Sequence, residues 1–469
     1  MGPLESMGSA GCARSEVIEM KRTWFVLALV APALGAWAFG CGDDELFVET
    51  DAGGFDAGGV PDGNSTTDSG GNDGGNGLGC GSSTGAPPRV LLSMNNTSTS
   101  EIVAYNLTDK KSDGKLTYPS ALGFTNSQGT DPYLLQSSTD VIARLDPKEP
   151  YKVVSSWSVR GDDATDGGLP NANPVSLVVP NCSKGYVVRF NRNKIAVIDT
   201  TKVADAGAAE SYLDLAPYLQ SEDKDGLVEA TAAVYSKSKN RIYVLLGNVD
   251  FRKIAADGFS ALCANTKPAI VGIDATTGAF VSLGGAGPGG SILLEGYNPF
   301  IGSFFHYDPV RERLVVFSGG CNLDDGDGGA GATARKRIEE VDLATGAVKT
   351  LLSLDSSFDF PASMAFIDGT HAALGFFGSA YFWNPSVNAL GPEIPGGMPF
   401  LAADGKGNVV GMRQVPRGDA GKGIEVVRVP VPASISDAGV DAAAVEKIGE
   451  DPFTINGGFP SGVELWPHP

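Results

Sequence analysis

The sequence has few of the residue types on which many enzymes and nucleic-acid-binding proteins depend. It contains three histidines in 469 residues, too far apart in the sequence to indicate a metal cluster. The motifs H-E-x-x-H and C-x-x-C and the phosphate-binding loop do not occur. Lys and Arg number 35 against 55 Asp and Glu, which gives a net charge of −20. Because no basic cluster is present to hold phosphates, we expect no nucleic-acid partner.

Long hydrophobic runs are also missing, with one exception near the N-terminus. An uncharged stretch of 17 residues runs from Trp24 to Gly40, shortly after Lys21 and Arg22. It is short for a membrane span, and it has the basic start and apolar centre of a secretion signal. We therefore interpret residues 1–40 as a signal peptide, with Met20 as the natural start.

Two cleavage sites are compatible with this signal. The residues "AFGC" resemble a bacterial lipobox, which would make Cys41 the lipidated first residue, whereas "AWA" at Ala36–Ala38 suits ordinary signal peptidase. Lipidation of Cys41 leaves four cysteines in an oxidising compartment, and the other cleavage leaves five. The even number favours a lipoprotein of the bacterial cell envelope, held at the periplasmic or outer surface of a membrane by its lipid.

The segment that follows has a composition typical of disorder. Residues 42–88 contain 14 glycines and nine acidic residues, with no Lys or Arg. Such a segment cannot bury enough apolar surface to offset the entropy of ordering its chain. We predict that residues 41–88 form a lipidated, disordered tether that holds a folded domain clear of the membrane.

From Arg89 onward the chain repeats a β-hairpin signal. The segments "IVGIDATTGAFVSL" and "IEEVDLATGAVKTLLSL" each carry an apolar strand, an Asp, a turn with Gly and a second apolar strand. The Asp can accept hydrogen bonds from the turn, and the Gly supplies a positive φ. Weaker copies of the hairpin lie around Asn106, Asp146, Asp199 and Asn384, and a strand near Arg428 lacks the polar turn.

A further apolar strand precedes most of these hairpins and begins at an X-Pro dipeptide. Proline lacks an N–H, so it suits the first position of a strand. The X-Pro strands begin at Asp131, Asn173, Asn298, Phe360 and Met398, and a strand at Val228 takes the same place without proline. The first hairpin lacks such a strand, and the C-terminal strand at Phe459 lacks a hairpin. We predict an all-β, seven-bladed β-propeller over residues 89–469, closed by the C-terminal strand.

Local segments resemble known propeller repeats. The residues "KIAVIDTTK" and "RIYVLLGN" are similar to the YVTN-type repeats of bacterial surface proteins, and "RLVVFSGG" with "YFWNP" resembles kelch blades. The tryptophan expected at the end of a kelch repeat is mostly absent. The resemblance implies a propeller and indicates no activity.

Two functions remain open at this stage. In the first, the propeller binds a protein, a glycan or another ligand and does no chemistry, which the missing catalytic motifs favour. In the second, it is a calcium-dependent hydrolase similar to the propeller lactonases, which hold Ca²⁺ with Asp, Asn and Glu. The candidate ligands are the residues that precede the strands expected to lie innermost: Asp131, Asn173, Glu229 and Asn298. The competing interpretation is that Asn-Pro and Asp-Pro simply begin turns.

The segment "SEDKDGLVE" partly matches a calcium-binding loop. Asp223 and Asp225 occupy two of the expected ligand positions, but Ala232 stands where such a loop needs a bidentate Glu. We interpret the segment as a solvated acidic turn.

Two long loops, 248–268 and 319–336, each contain one cysteine. Both are expected to join the second and third strands of consecutive blades, and so to emerge side by side on one face. This placement favours a disulfide between Cys263 and Cys321, which leaves Cys80 for Cys182. We expect these loops to form the binding face, since binding residues are often carried on loops of a rigid scaffold.

Overall fold

A computed structural model describes residues 88–466 with the exception of 96–98, 119–122, 127–130, 162–169, 182, 203, 256–260, 300–303, 325–329, 355–357, 417–421, 436–443, 451 and 454–458. The predicted signal peptide, the tether with Cys41, and Cys80 and Cys182 lie outside the described residues. Within the described part, no helix has the length and apolar character needed to cross a bilayer.

The described residues form 32 strands and two 3-10 turns, Ala216–Tyr218 and Pro288–Gly290. The first sixteen strands are β1 (Arg89–Asn95), β2 (Ser100–Asn106), β3 (Lys111–Tyr118), β4 (Gly123–Asn126), β5 (Tyr133–Gln136), β6 (Val141–Leu145), β7 (Val153–Ser158), β8 (Pro174–Asn181), β9 (Lys184–Arg189), β10 (Lys194–Asp199), β11 (Ala204–Ala208), β12 (Ser211–Asp214), β13 (Ala230–Ser236), β14 (Arg241–Leu246), β15 (Ala269–Asp274) and β16 (Phe280–Val281). The remaining strands are β17 (Ile292–Leu293), β18 (Phe305–Asp308), β19 (Arg313–Ser318), β20 (Cys321–Asp324), β21 (Ala330–Ala334), β22 (Arg337–Asp342), β23 (Val348–Ser353), β24 (Pro361–Phe366), β25 (Ala372–Phe376), β26 (Ala380–Asn384), β27 (Ala389–Glu393), β28 (Phe400–Ala403), β29 (Asn408–Pro416), β30 (Lys422–Pro430), β31 (Glu446–Glu450) and β32 (Phe459–Trp466).

These strands build a seven-bladed β-propeller, as the sequence predicts. From the innermost strand outward, blades 1 to 7 are β32-β1-β2-β3, β4-β5-β6-β7, β8-β9-β10-β12, β13-β14-β15-β16, β18-β19-β22-β23, β24-β25-β26-β27 and β28-β29-β30-β31. The pairing within each blade is antiparallel. Four strands lie outside this pattern or beside it: β11 adds in parallel to the edge of blade 2, β17 pairs with β15, and β20 and β21 form a separate hairpin.

The C-terminal strand closes the ring. β32 pairs with β1 along its whole length, from Arg89 opposite Trp466 to Asn95 opposite Phe459. The indole of Trp466 is 1% exposed, and its N–H donates to the Pro147 carbonyl oxygen of blade 2 at 3.2 Å. The predicted closure is therefore confirmed, since the last strand of the chain is the innermost strand of the first blade.

The predicted hairpin turns have the expected hydrogen bonds. The Asp274 carboxylate accepts the N–H groups of Thr277 and Thr276 at 2.8 and 3.1 Å, and Gly278 has a φ of 73°. These bonds lower the pKa of Asp274, because they stabilise the charged carboxylate. The Asp342 carboxylate accepts its turn N–H groups in the same way. The same turn is formed at Asn106, Asp146, Asp199 and Asn384.

One X-Pro prediction is wrong. The dipeptide at Asp131 precedes β5, which is the second strand of blade 2, and the innermost strand is the four-residue β4. Pro132 contributes its carbonyl oxygen to the ladder by accepting the Leu145 N–H at 2.9 Å. Any strand can begin with a residue that donates no hydrogen bond. An X-Pro dipeptide therefore marks the start of a strand but does not show whether that strand is the innermost one of its blade.

The hydrophobic core lies between the blades. In the described residues, seven apolar clusters each join two neighbouring blades, and together they cover all seven seams of the ring. Between blades 3 and 4, for example, Val188 and Val244 are fully buried in one cluster. At the closing seam, Leu465 of β32 shares a cluster with Val410 of blade 7. Each blade therefore buries apolar side chains on both of its faces.

Removal of residues 459–469 should destabilise the whole propeller. The truncation deletes the buried side chains of Leu465 and Trp466, a loss of about 5–10 kcal/mol for large-to-small changes of this kind, and it leaves the edge of β1 unpaired. A chain that ends after Trp466 is the matched control. We expect thermal melting, followed by circular dichroism, to occur at a much lower temperature in the shorter chain. Equal melting temperatures would show that β32 does not close the ring.

Candidate functional site

The two faces of the propeller carry different connections. Because strands within a blade alternate in direction, the loops between second and third strands share one face with the loops between blades. We call this the loop face, and the opposite one, with the short hairpin turns, the turn face. The chain enters the fold at Arg89, where a second strand begins, and leaves at Trp466, where an innermost strand ends. Both points lie on the turn face.

Two long connections on the loop face are joined covalently. We call residues 248–268, between β14 and β15, and residues 319–336, between β19 and β22, the stapled loops. Cys263 and Cys321 form a disulfide across them, with their Cα atoms 5.0 Å apart. Beside it, the Cys263 N–H donates to the Asn322 carbonyl oxygen at 3.0 Å, and the Asn322 N–H donates to that of Ala261 at 2.9 Å. This disulfide prediction is confirmed, and the proposed partner pair Cys80 and Cys182 lies outside the described residues.

A half-buried arginine joins the same loops a second time. The guanidinium of Arg335 donates to the carbonyl oxygens of Glu295 and Gly296 at 2.9 Å, in the connection between blades 4 and 5. It also donates to the carbonyl oxygens of Ala264 and Thr266 at 3.1 and 3.3 Å, in the other stapled loop. Burial lowers the pKa of Arg335, but the ordinary value is so high that the group stays charged. The sequence gives no sign of this role, because all of the acceptors are backbone atoms.

The stapled loops also have an apolar cluster of their own. It contains Val249, Ala261, Ala264, Tyr297 and Cys321, all at most 9% exposed. Together with the disulfide and Arg335, this cluster holds the loops in one arrangement. Next to it, the β20–β21 hairpin carries Leu323, which is 50% exposed.

Three of the four predicted ring residues occupy equivalent positions on the loop face. Asn173, Glu229 and Asn298 each precede the innermost strand of their blade, and their φ angles of 53°, 40° and 51° are left-handed. Their carbonyl oxygens accept N–H bonds at 2.9–3.0 Å from the ends of the second strands, at Phe190, Gly247 and Gly319. Proline disfavours a right-handed helical backbone in the residue before it, and Asn173 and Asn298 adopt the left-handed region, which Asn tolerates better than most residues.

Asp131 does not join this set. It lies on the turn face at the start of β5, with its carboxylate 3.8 Å from the Arg144 guanidinium. Burial raises the pKa of Asp131 to about 6, and the charge of Arg144 opposes that shift. The four-residue ring expected from the sequence is therefore not assembled.

The side chains of the other three residues have different surroundings. Glu229 is fully buried and accepts the Val249 N–H at 3.0 Å, so it holds the start of a stapled loop. Asn173 is 1% exposed, and neither its amide oxygen nor its amide nitrogen has a hydrogen-bond partner among the described residues. Asn298 is 7% exposed.

The acidic turn between blades 3 and 4 is solvated only in part: Ser221, Glu222 and Lys224 are exposed, whereas Asp223 is buried, contrary to our interpretation of the sequence. Asp223 is 8% exposed, and it lies with Asp225 next to Asp250 from a stapled loop. One carboxylate oxygen of each residue lies within 4.8 Å of the others. Burial and the neighbouring charge of Asp225 raise the pKa of Asp223 to about 7. Glu229, which the loop motif places at its ninth position, is not in this cluster.

Asn193 fixes the position of this turn. Its side-chain amide donates to the Gly226 carbonyl oxygen at 2.7 Å and accepts the Val228 N–H at 3.0 Å. On the other side of the turn, the side-chain amide of Gln220 donates to the Lys267 carbonyl oxygen and accepts the Lys267 N–H, the second bond at 3.0 Å. The acidic turn is thus held between blade 3 and a stapled loop.

Comparison with known proteins gives a distant structural likeness only. No protein-family model and no curated protein sequence matches the chain. Hydrazine synthase of Kuenenia stuttgartiensis is 14% identical with a TM-score of 0.48, over 73% of this chain and 95% of that one. The β-propeller domain of Cps50 (Swd1) from Myceliophteria thermophila is 13% identical with a TM-score of 0.44, over 68% and 89%. Virginiamycin B lyase from Staphylococcus aureus is 11% identical with a TM-score of 0.40, over 68% and 89%. None of these values supports an inference about activity.

Proposed function

We propose that this protein is an exported, lipid-anchored propeller of the bacterial cell envelope whose stapled loops bind a protein or glycan ligand. The observation that carries the proposal is the place where the chain enters the fold. Arg89 lies on the turn face, and the stapled loops lie on the opposite one. A tether over residues 41–88, anchored at Cys41, would leave the loop face directed away from the membrane.

The construction of the stapled loops supports a binding role. A surface that is already fixed before a ligand arrives loses less conformational entropy on binding. Cys263–Cys321 and Arg335 provide this restraint. Of the four large apolar side chains that are most exposed among the described residues, Leu323 is the one on the loop face. The other three are on the turn face: Val153, Val310 and Val387.

The lactonase alternative receives less support. It requires Asp131 beside Asn173, Glu229 and Asn298, and Asp131 lies on the other face. One oxygen of Glu229 is already engaged by the Val249 N–H. We therefore propose binding without catalysis as the function of the loop face.

Lipidation can be tested by labelling cells with a fatty-acid analogue. We expect the wild-type chain to be labelled and the Cys41→Ser variant to be unlabelled, because lipid would be attached to this one thiol. Cys80→Ser is the matched control, since Cys80 lies in the predicted tether and outside the lipobox, and it should be labelled like the wild type. Label retained in Cys41→Ser would contradict the anchor.

The binding face can be tested with a photoreactive residue placed in living cells of the source bacterium. At position 323 we expect a discrete cross-linked adduct, because Leu323 projects from the stapled loops. At position 310, where Val310 is 88% exposed on the turn face, we expect none. An adduct at position 310 without one at 323, or no adduct at either, would contradict the proposed face.

A further inference from the structure

Three carboxylates from two separate loops converge on the loop face. Asp223 and Asp225 belong to the turn between blades 3 and 4, and Asp250 belongs to a stapled loop. One oxygen of each lies within 4.8 Å of the others. Asp223 and Asp250 are 8% and 2% exposed. Like charges held this close and this far from water repel strongly, and the repulsion is relieved when a carboxyl is protonated or a cation binds.

Asp223 supplies a second observation that points to a ligand. Its Oδ1 accepts the Asp225 N–H at 3.1 Å. Its Oδ2 is buried and accepts no hydrogen bond from any described residue. A buried carboxylate oxygen without a donor is unfavourable, so this oxygen is suited to hold a cation.

Within the described part of the chain, no cation of the protein pairs with Asp223. Arg252 contacts the Asp250 carboxylate at 3.2 Å, and its side chain is 49% exposed. Lys224 donates to the Ser221 carbonyl oxygen instead. Among the described residues, Asp223 has no ion-pair partner. Asp223 is therefore a buried carboxylate without a counter-charge among the described residues.

We propose that Asp223, Asp225 and Asp250 bind one divalent cation of the calcium type. Calcium takes oxygen ligands, with flexible geometry and water completing the shell. Three oxygens that are at most 4.8 Å apart leave a point that lies within about 2.8 Å of all three, close to the roughly 2.3–2.6 Å of calcium–oxygen contacts. This site differs from the ring predicted before the innermost strands, because it contains neither Asn173, Glu229 nor Asn298.

A bound cation would join the turn between blades 3 and 4 to the stapled loops. The two are already in contact, since Asp225 Oδ2 accepts the Phe251 N–H at 2.9 Å. The ion would add a third restraint on the loop face, beside the disulfide and Arg335. The proposed cation site does not depend on lipidation or on the identity of a ligand of the stapled loops.

The site can be tested with the full chain, stripped of metal with EDTA and titrated with calcium chloride. We expect calorimetry to show one site per chain, with a dissociation constant in the range of extracellular modules, about 0.1–1 mM. The melting temperature should rise in saturating calcium. Asp223→Asn should weaken binding at least about tenfold and remove the rise in melting temperature. In EDTA the same variant should melt at or above the wild type, because one buried charge is removed.

Glu222→Gln is the matched control. It removes one charge from the same turn, but Glu222 is exposed and its carboxylate faces the Ser221 hydroxyl. It should respond to calcium like the wild type. If circular dichroism shows that Asp223→Asn does not fold, Asp250→Asn replaces it in the comparison. No calcium response in the wild type, or equal responses in the wild type and the Asp variant, would overturn the proposal.

Discussion

The fold depends on the burial of both faces of every blade. Each sheet packs one apolar face against the preceding blade and the other against the following one, so a row of such sheets with two ends would expose two hydrophobic faces. A closed ring removes those ends. β32 completes the ring by joining the last residues of the chain to β1, and its Leu465 and Trp466 enter the clusters on the two sides of blade 1.

Closure of the ring also determines on which face of the propeller the described chain begins and ends. Because β1 is a second strand and β32 an innermost strand, the two ends of the described chain lie together on the turn face. On that face, six of the outer hairpins are fixed by an Asp or Asn that accepts hydrogen bonds within its own turn. The stapled loops lie on the opposite face, away from both ends of the described chain.

The parts of the structure that depend on local chemistry were predictable from the sequence. Asp274 and Asp342 identify their turns because the hydrogen bonds are made two and three residues away. The Cys263–Cys321 disulfide followed from strand order alone, since both loops occupy the same place in consecutive blades. Asp131 was misplaced because Pro132 begins a second strand as readily as a first one.

The contacts that join separate loops were not predictable. Asp250 meets Asp223 only because two loops from neighbouring blades approach each other, and a loop motif in one segment cannot show this. The same holds for Arg335, whose acceptors are carbonyl oxygens common to every residue. Sequence patterns therefore predicted the propeller and the face that carries the stapled loops. The polar contacts between loops on that face could be seen only in the three-dimensional structure.

The account rests most directly on the order of the blades and on the faces that follow from it. Peptide mapping of the unreduced chain tests both in one measurement, because Cys263 and Cys321 meet only if their loops belong to consecutive blades and share a face. The account predicts a disulfide-linked pair of peptides that contain Cys263 and Cys321. A peptide in which Cys263 is joined to Cys80 or to Cys182 would contradict the strand order, the stapled loops and the proposed binding face together.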